Sequence, residues 1–201
     1  LKPDFAELHC NIGILLGLNG SQNPFSGCAS YKDIAHLPAP ARAAAMRDAG
    51  LRARILSEDR VAGSNFPLIT RLSFERMFPF GDPPDYAPPK EASIAAIAAR
   101  EGRSAEEVAY DLLTADGGAG FIFAPLTNFG DYTLSASAEC LRHPNAIAGL
   151  SDGGAHVGFI SDGSFPTFLL AYWARDAKEQ VFAVPEIVRR LTSDTARAAG
   201  L

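Results

Sequence analysis

Apolar residues along this chain fall into short blocks that predict strands and helices in alternation. The block LHCNIGILLGL, residues 8–18, is bounded by turn-forming residues and predicts a buried strand. GFIFAPL (120–126) and AIAGL (146–150) predict two more short strands. Because strands that alternate with helices are typical of parallel β/α units, we expect these strands to lie in a parallel sheet.

Helical spacing of apolar residues accounts for most of the remaining chain. Pro40 followed by ARAAAMRDAGLRARILSEDR predicts a helix that starts near Pro40, a break at Gly50 and a second short helix. Ser104, with Glu107 three residues later, predicts a capping box at the start of a helix that runs to about Leu113. Further helices are predicted over residues 91–100, 134–142, 165–175 and 185–199.

The stretch from residue 63 to residue 90 contains many Pro, Gly and Phe residues. Its segment FPFGDPPDYAPP is too rich in proline to continue a regular element, so it predicts a loop. A flexible linker would be rich in Gly and Ser, and the aromatic residues here argue against one. We therefore expect an ordered loop.

Composition places the chain among ordinary globular proteins. It has 201 residues, of which 47% are hydrophobic and 20% are charged. The net charge of −5 argues against nucleic acid or an anionic membrane as a partner, because both attract clustered Lys and Arg. No apolar run approaches the roughly 20 residues of a membrane helix, and no basic-then-apolar signal peptide is present. A cytoplasmic protein is the expectation.

Cysteine spacing supports that expectation. Cys10, Cys28 and Cys140 lie far apart and form no close pair. Closed structural zinc sites normally use close pairs of ligands, so a zinc site built from these cysteines is disfavoured. We expect reduced thiols, as in cytosolic proteins.

The segment from Ala148 to Phe165 carries the candidate chemistry. A short apolar strand would deliver Asp152 at its carboxyl end, and three small residues separate Asp152 from His156. Functional side chains of β/α folds cluster at the carboxyl ends of strands. An aspartate there can bind a metal and accept a proton from a metal-activated water. His156 could contact the metal, the substrate or a reaction oxyanion.

A plain turn explains the same spacing. Asp-Gly pairs are common in turns, and Asp152 could simply cap the segment that follows it. His156 taken alone is equally compatible with a structural role. Asp162, in a second Ser-Asp-Gly sequence, is interpreted as a turn residue or as the N-cap of the helix near Phe165. On spacing alone the turn is the preferred interpretation.

A family resemblance changes that balance. The blocks GLSDGGAHVGFISDGSFPTFLLAYWARD and IVRRLTSDTARAAGL resemble the closing segment of the N-acyl-D-amino-acid deacylases, the D-aminoacylase-like amidohydrolases. HPNAIAGLSD resembles the approach to the last strand of that family. GILLGLNGSQNPFSG is similar to an upstream strand and loop. The resemblance is strong over about residues 140–201 and thin over the rest of the chain.

The resemblance implies a fold and a domain organisation. The expected fold class is α/β, namely the C-terminal portion of a metal-dependent (β/α)8, TIM-like barrel with an irregular helical insertion. Residues 1–201 would form one partial amidohydrolase barrel domain. Within it, residues 1–30 would be a strand and loop, 31–118 the helical and Pro-rich insertion, and 119–201 the last β/α units. A helix carrying Thr192, Ser193, Ala196 and Arg197 would pack the end of the barrel.

The resemblance also implies an activity. It is hydrolysis of a linear amide in a small-molecule N-acyl amino acid, by zinc-activated water that attacks the amide carbonyl. Asp152 would be metal ligand and general base. His156 would be a catalytic residue that supports the site or contacts the substrate.

The chain departs from the family pattern in its histidines. The family carries a His-x-His pair on the first barrel strand, whereas the only histidines here are His9, His36, His143 and His156, and none forms such a pair. The other metal ligands are therefore expected outside this chain, before Leu1. We interpret the chain as a fragment that is inactive alone and that associates with itself or with the N-terminal part of the enzyme. The alternative is a non-catalytic α/β unit that binds a partner.

Overall fold

The computed structural model describes residues 13–20, 22–64, 72–127, 129–149, 164–177 and 182–201. These residues belong to two compact units, one within Ile12–Thr133 and one that takes in the described residues from Leu134 onward. The fold is mixed α/β, with many short helices and a small sheet. Among the described residues, none of the helices combines the length and the apolar character needed to traverse a lipid bilayer.

The larger unit contains three strands and five α-helices in its described part. The strands are β1 (Gly13–Gly17), β2 (Phe78–Phe80) and β3 (Phe121–Pro125). The helices are α1 (Ala29–Lys32), α2 (Ala39–Met46), α3 (Ala49–Ser57), α4 (Ile94–Glu101) and α5 (Ala105–Thr114). Single 3-10 turns occupy Phe74–Arg76, Lys90–Ala92 and Ala115–Gly117.

The sheet has the order β1-β3-β2, and both pairs are antiparallel. Leu16 of β1 and Pro79 of β2 both lie opposite Ile122 of β3. The predicted positions of β1 and β3 are confirmed, but the predicted parallel pairing is wrong for these strands. Apolar periodicity reports which residues are buried and carries no information on strand direction.

The strand that the sequence did not predict is β2. This three-residue strand falls inside the Pro-rich stretch that was predicted to be a loop, and its Phe-Pro-Phe sequence pairs with β3. Proline is tolerated there because β2 is an edge strand, where an absent N–H costs no ladder hydrogen bond. Apart from the 3-10 turn Phe74–Arg76, the described part of that stretch, which leaves out residues 65–71, is otherwise irregular up to Pro89, as predicted.

One face of the sheet packs into the main hydrophobic core. Ile14, Leu16, Ile122 and Ala124 are buried there. Buried residues of α2 to α5 complete this core, among them Ala43, Met46, Leu51, Ile55, Ile94, Ala98, Val108 and Leu113. The core therefore consists of helices laid on one side of a small sheet, an arrangement that buries the apolar faces of both.

The other face of the sheet is aromatic. Phe78 and Phe123 lie opposite each other on it and are buried. The ring of Phe78 meets Phe129 and Tyr132 edge-on, at 6.2 and 6.3 Å between centroids. Leu15 of β1 is on the same face but stays 45% exposed, so the cover is incomplete at the β1 edge.

Side-chain caps set the helix boundaries in this unit. The predicted capping box is present: the Ser104 hydroxyl accepts from the Glu107 backbone N–H, and the Glu107 carboxylate accepts from the Ser104 N–H. The break between α2 and α3 falls at Arg47 and Asp48, because Asp48 Oδ1 accepts from Leu51 N at 2.8 Å. The prediction of a break at Gly50 is wrong, since Gly50 lies within the first turn of α3.

Two glycines permit the tight connections around α5. Gly102 ends α4 with φ of 65°, in the left-handed region that glycine enters without strain. A Cβ at Gly120 would lie 1.8 Å from the carbonyl oxygen of Leu112, so only glycine lets β3 begin so close to α5.

The smaller unit is helical in its described part. Helix α6 spans Ser135–Arg142 and ends at His143-Pro144, as predicted. A second helical stretch runs as α7 (Phe165–Phe168) and continues with π-type bonding through Leu169–Asp176. A third runs as α8 (Val184–Arg189), continues with π-type bonding through Arg190–Asp194 and closes as α9 (Thr195–Ala198). The predicted helices over 165–175 and 185–199 are confirmed.

Residues 146–149 form no strand, so the predicted strand over AIAGL is wrong for its described part. Ala146 N donates to His143 O in a turn. The carbonyl of Ala148 accepts from the Thr195 hydroxyl at 3.0 Å, so it bonds to a helix side chain and not to a neighbouring strand. An apolar run of five residues does not distinguish a strand from an irregular segment, and only Ala148 of residues 146–149 is buried.

Candidate functional site

The predicted site residues Asp152 and His156 lie outside the described residues, and so does Asp162. The structure describes the chain on either side of these residues. The approach is described as far as Gly149, and the chain is described again from Ser164, just before α7. The roles of Asp152 and His156 therefore stay predictions.

The C-terminal Thr-Ser-x-x-Ala-Arg pattern lies on the third helical stretch. The hydroxyl of Thr192 donates to Val188 O at 2.7 Å, and that of Ser193 donates to Arg189 O at 3.4 Å. Both bonds run to carbonyl groups four residues earlier, which is the usual hydrogen-bond acceptor of a Ser or Thr hydroxyl within a helix. Arg197 donates to Asp194 at 3.1 Å. These contacts are local to the helix.

Thr195 reaches outside that helix. Its hydroxyl lies 3.0 Å from Ala148 O, four residues before Asp152, and 2.7 Å from Arg190 O within the helix, so its single proton is shared between these two acceptors. The segment HPNAIAGLSD and the Thr-Ser-x-x-Ala-Arg helix, which carry two parts of the family resemblance, are therefore in contact. Sequence inspection gave Thr195 no role, since it occupies a variable position of the pattern.

The described histidines make no cluster with one another. His36 is exposed in the turn after α1. His143 follows the last residue of α6, and its Nδ1 accepts from Asn145 N at 3.2 Å. This position directly follows the helix that was predicted over residues 134–142. His9 and His156 lie outside the described residues.

The two described cysteines are free thiols, as predicted for Cys28 and Cys140. Cys28 is 1% exposed, and its Sγ lies 3.7 Å from the carbonyl oxygen of Ile55. Burial, together with the nearby carboxylate of Glu58, raises the pKa of the Cys28 thiol to about 11. A thiol that remains protonated in this way is a poor nucleophile. Cys10 lies outside the described residues.

Metal ligands are not grouped in the part of the chain that the structure describes. No set of three His, Cys, Asp or Glu side chains there is placed to hold a metal ion. The described residues thus do not form a complete metal centre by themselves. Any complete metal centre must draw on other residues.

A cavity of about 240 Å³ lies in the larger unit, at the carboxyl end of α3. Its apolar lining comes from Phe25, Ile55, Leu56 and Val61, and its charged lining from Glu58, Asp59, Arg60 and Glu106. Sequence inspection missed this site. Its residues come from three separate segments and match no motif, so only the fold brings them together.

Most charged groups around this cavity are held in place. The carboxylate of Glu58 accepts from Ser30 N at 3.0 Å and from the Ser30 hydroxyl at 2.6 Å, and these bonds lower the pKa of Glu58. Asp59 Oδ1 accepts from Val61 N at 2.8 Å. The guanidinium of Arg60 lies 4.5 Å from the Phe74 ring centroid and donates to Leu72 O. Burial lowers the pKa of Arg60.

Two further arginines donate hydrogen bonds to several backbone carbonyl groups. Arg42 donates to the carbonyls of Leu18, Ala35 and Leu37 and to the Tyr31 hydroxyl. Arg76 donates to the carbonyls of Phe129 and Gly130 at 2.6 Å, with its guanidinium 4.2 Å from the Tyr132 ring centroid. Because carbonyl groups accept from the terminal guanidinium nitrogens of both side chains, we interpret these arginines as structural. The Nε of Arg42 is buried without a hydrogen-bond partner among the described residues.

No protein-family model matches the chain, and neither a curated protein nor a solved structure is significantly similar to it. The functional interpretation therefore rests on the residues of the chain and on the contacts described above.

Proposed function

We propose that this chain is part of a metal-dependent amidohydrolase, similar to the N-acyl-D-amino-acid deacylases, that hydrolyses the amide of an N-acyl amino acid. The observation that carries the proposal is the block from Gly149 to Phe165, with Ser151-Asp152-Gly153 followed by His156. This block is far more specific than a lone Asp-Gly pair. The proposed fold for it is the closing part of a (β/α)8 barrel.

The contact between Thr195 and Ala148 supports the proposal. Two segments that resemble the same family, separated by more than forty residues, meet through a hydrogen bond of 3.0 Å. The described part of the predicted last strand, residues 146–149, is irregular, so what the contact supports is the closeness of the two segments and a fixed approach to Asp152.

Asp152 has the central role in this proposal. Its carboxylate would bind the metal and accept the proton of the attacking water, which requires it to be ionised at neutral pH. His156, four residues later, would contact the substrate or support the site. A bound zinc ion would supply Lewis-acid polarisation of the amide carbonyl.

The rest of the metal site would come from outside this sequence. The chain contains no His-x-His pair, and the described residues hold no group of three metal ligands. We therefore propose that the 201-residue chain is inactive alone and works together with the remaining N-terminal portion of the enzyme, or as an assembly of chains.

The test is hydrolysis of N-acetyl-D-amino acids and of their L-isomers, by the product of the full reading frame and by the 201-residue chain. We expect the longer protein to be active, to lose activity with a chelator and to regain it with zinc. The 201-residue chain should show no turnover. A zinc-loaded longer protein that hydrolyses neither isomer would contradict the proposed activity.

A second candidate, a non-catalytic α/β unit that binds a partner, is favoured by one observation. The described strands are antiparallel, whereas barrel units of this family are expected to be parallel. Metal content distinguishes the two candidates. After chelation and reconstitution, the longer protein should retain zinc if it is the enzyme and none if the Asp-Gly turns are only structural.

A further inference from the structure

We propose that the cavity at the carboxyl end of α3 binds a small organic cation, an alkylammonium group on a short apolar body. This site lies within the larger unit and uses neither Asp152 nor His156. The inference therefore stands or falls independently of the amidohydrolase proposal.

The apolar part of the cavity sets the size of the ligand. Phe25 is almost fully buried, and its ring is braced edge-on by Tyr110 at 5.4 Å between centroids. Ile55 is also buried, which gives the cavity a firm apolar floor beside Leu56 and Val61. An apolar cavity of roughly 150 Å³ holds a benzene-sized molecule. The 240 Å³ available here would accommodate a body of four or five carbons with a charged end.

The charge of the lining favours a cation. The lining includes three acidic residues, Glu58, Asp59 and Glu106, and one basic residue, Arg60. The hydrogen bonds from Ser30 lower the pKa of Glu58, so this carboxylate is ionised at neutral pH. The carboxyl end of α3 adds the partial negative charge of its last carbonyl groups.

Glu106 is the group best placed to receive the ammonium. It lies in the first turn of α5 and lines the cavity. Its carboxylate raises the pKa of Arg60, so its charge acts on the groups of the cavity. Glu58 and Asp59, by contrast, already accept hydrogen bonds from Ser30 and Val61.

Neither a bare metal ion nor an anion fits this lining as well. The carboxylates do not converge, since no three acidic, Cys or His side chains of the described chain can hold one metal ion. The guanidinium of Arg60 lies against the Phe74 ring and donates to Leu72 O, so the protein already uses it. Carboxylates spread around an apolar floor suit an extended cation.

The experiment is a titration of the isotope-labelled full chain with n-butylammonium, followed by amide chemical shifts. Butanoate, of similar size and opposite charge, is the ligand control. Glu106→Gln removes one carboxylate from the cavity, and Glu91→Gln makes the same charge change at an exposed residue that does not line it. Retained spectra in buffer would establish that both variants are folded.

We expect saturable shifts around residues 55–61 and 106 with n-butylammonium, in the millimolar range, and none with butanoate. Glu106→Gln should weaken binding about threefold, the effect of one partly exposed ion pair, and Glu91→Gln should leave it unchanged. If butanoate bound as tightly as n-butylammonium, the cavity would not select a cation. Equal weakening of binding by both variants would show that general surface charge causes the effect. Chemical shifts that never saturate would exclude a specific site. Each of these three results would overturn the proposal.

Discussion

The larger unit and the closing segment from Leu134 onward carry different kinds of information. In the larger unit, buried Ile, Leu, Met and aromatic side chains form one core against a sheet, and side-chain caps fix helices α3 to α5. The described part of the closing segment exposes more large apolar side chains, with Ile147, Leu170, Val184 and Val188 each at least 36% exposed. The family-like block with Asp152 belongs to that segment.

This difference teaches that the residues that stabilise the fold and the residues that predict chemistry are separate along the chain. The helix caps and core of the larger unit explain its structure without any reference to function. The exposed Val184 and Val188 lie one helical turn apart on α8. The association of this segment with further chain stays a prediction. Mutations can therefore test the two regions independently.

The largest effect on stability should come from Ile122→Ala. Ile122 is fully buried at the centre of the sheet, so the substitution leaves a cavity and should cost about 2–5 kcal/mol of unfolding free energy. Val188→Ala removes an apolar side chain that is 46% exposed and should cost less than about 1 kcal/mol. Urea unfolding of the full chain measures both. Equal losses would contradict the assignment of the main core to the larger unit.

Gly120→Ala should have the next largest effect. The added methyl would overlap the carbonyl oxygen of Leu112, so α5 and β3 must separate, at a cost of about 1–3 kcal/mol. The control is Gly130→Ala, where a Cβ would meet nothing within 4 Å. Thermal unfolding followed by circular dichroism compares the two variants. A tolerated Gly120→Ala would mean that the contact between α5 and β3 is looser than described.

Ser104→Ala should cost about 1 kcal/mol, because it removes the hydroxyl that caps the first turn of α5. The loss should appear in chemical denaturation as a lower midpoint with an unchanged slope. Ser104→Asp, which restores a capping oxygen, should recover most of the stability. Failure of that variant to recover it would show that the serine acts through something other than the cap.

Several of these features could be predicted from the sequence because they depend on local chemistry. The capping box of Ser104 and Glu107, the helix end at His143 and the strand over residues 121–125 all follow from spacing within a few residues. Strand direction could not be predicted, because β1 and β3 are separated by more than a hundred residues. The sequence of residues 146–149 predicts a strand, and the contact of Ala148 with Thr195, which is distant in sequence, could not be foreseen from it.

The candidate sites divide in the same way. Asp152 and His156 could be proposed because they lie within one short block that resembles a family. The cavity at the carboxyl end of α3 could not, since Phe25, residues 55–61 and Glu106 are far apart along the chain and meet only in the fold. Acidic residues near helix ends are common, so their positions in the sequence did not predict the cavity.

The smallest effect concerns acid stability. Hydrogen bonds from Ser30 lower the pKa of Glu58 below its ordinary value of 4.5. The stability from this group is therefore complete above pH 4.5 and is lost as the pH falls through the lowered value. Glu58→Gln and Ser30→Ala should both reduce the drop in urea midpoint between neutral and acid pH. An unchanged drop in both variants would exclude Glu58 as a contributor.

The central claim is that the block containing Asp152 carries the chemistry, and the chain offers a matched control for it. Ser151-Asp152-Gly153 and Ser161-Asp162-Gly163 have the same sequence, but only Asp152 is proposed to be a catalytic base. The most direct measurement is kcat for N-acyl amino acid hydrolysis by the product of the full reading frame carrying either Asp152→Asn or Asp162→Asn. Asp152→Asn should lower kcat by a factor of about 10² to 10⁴, with Asp162→Asn close to the unsubstituted protein. Equal activity of the two variants would show that Asp152 is only a turn residue.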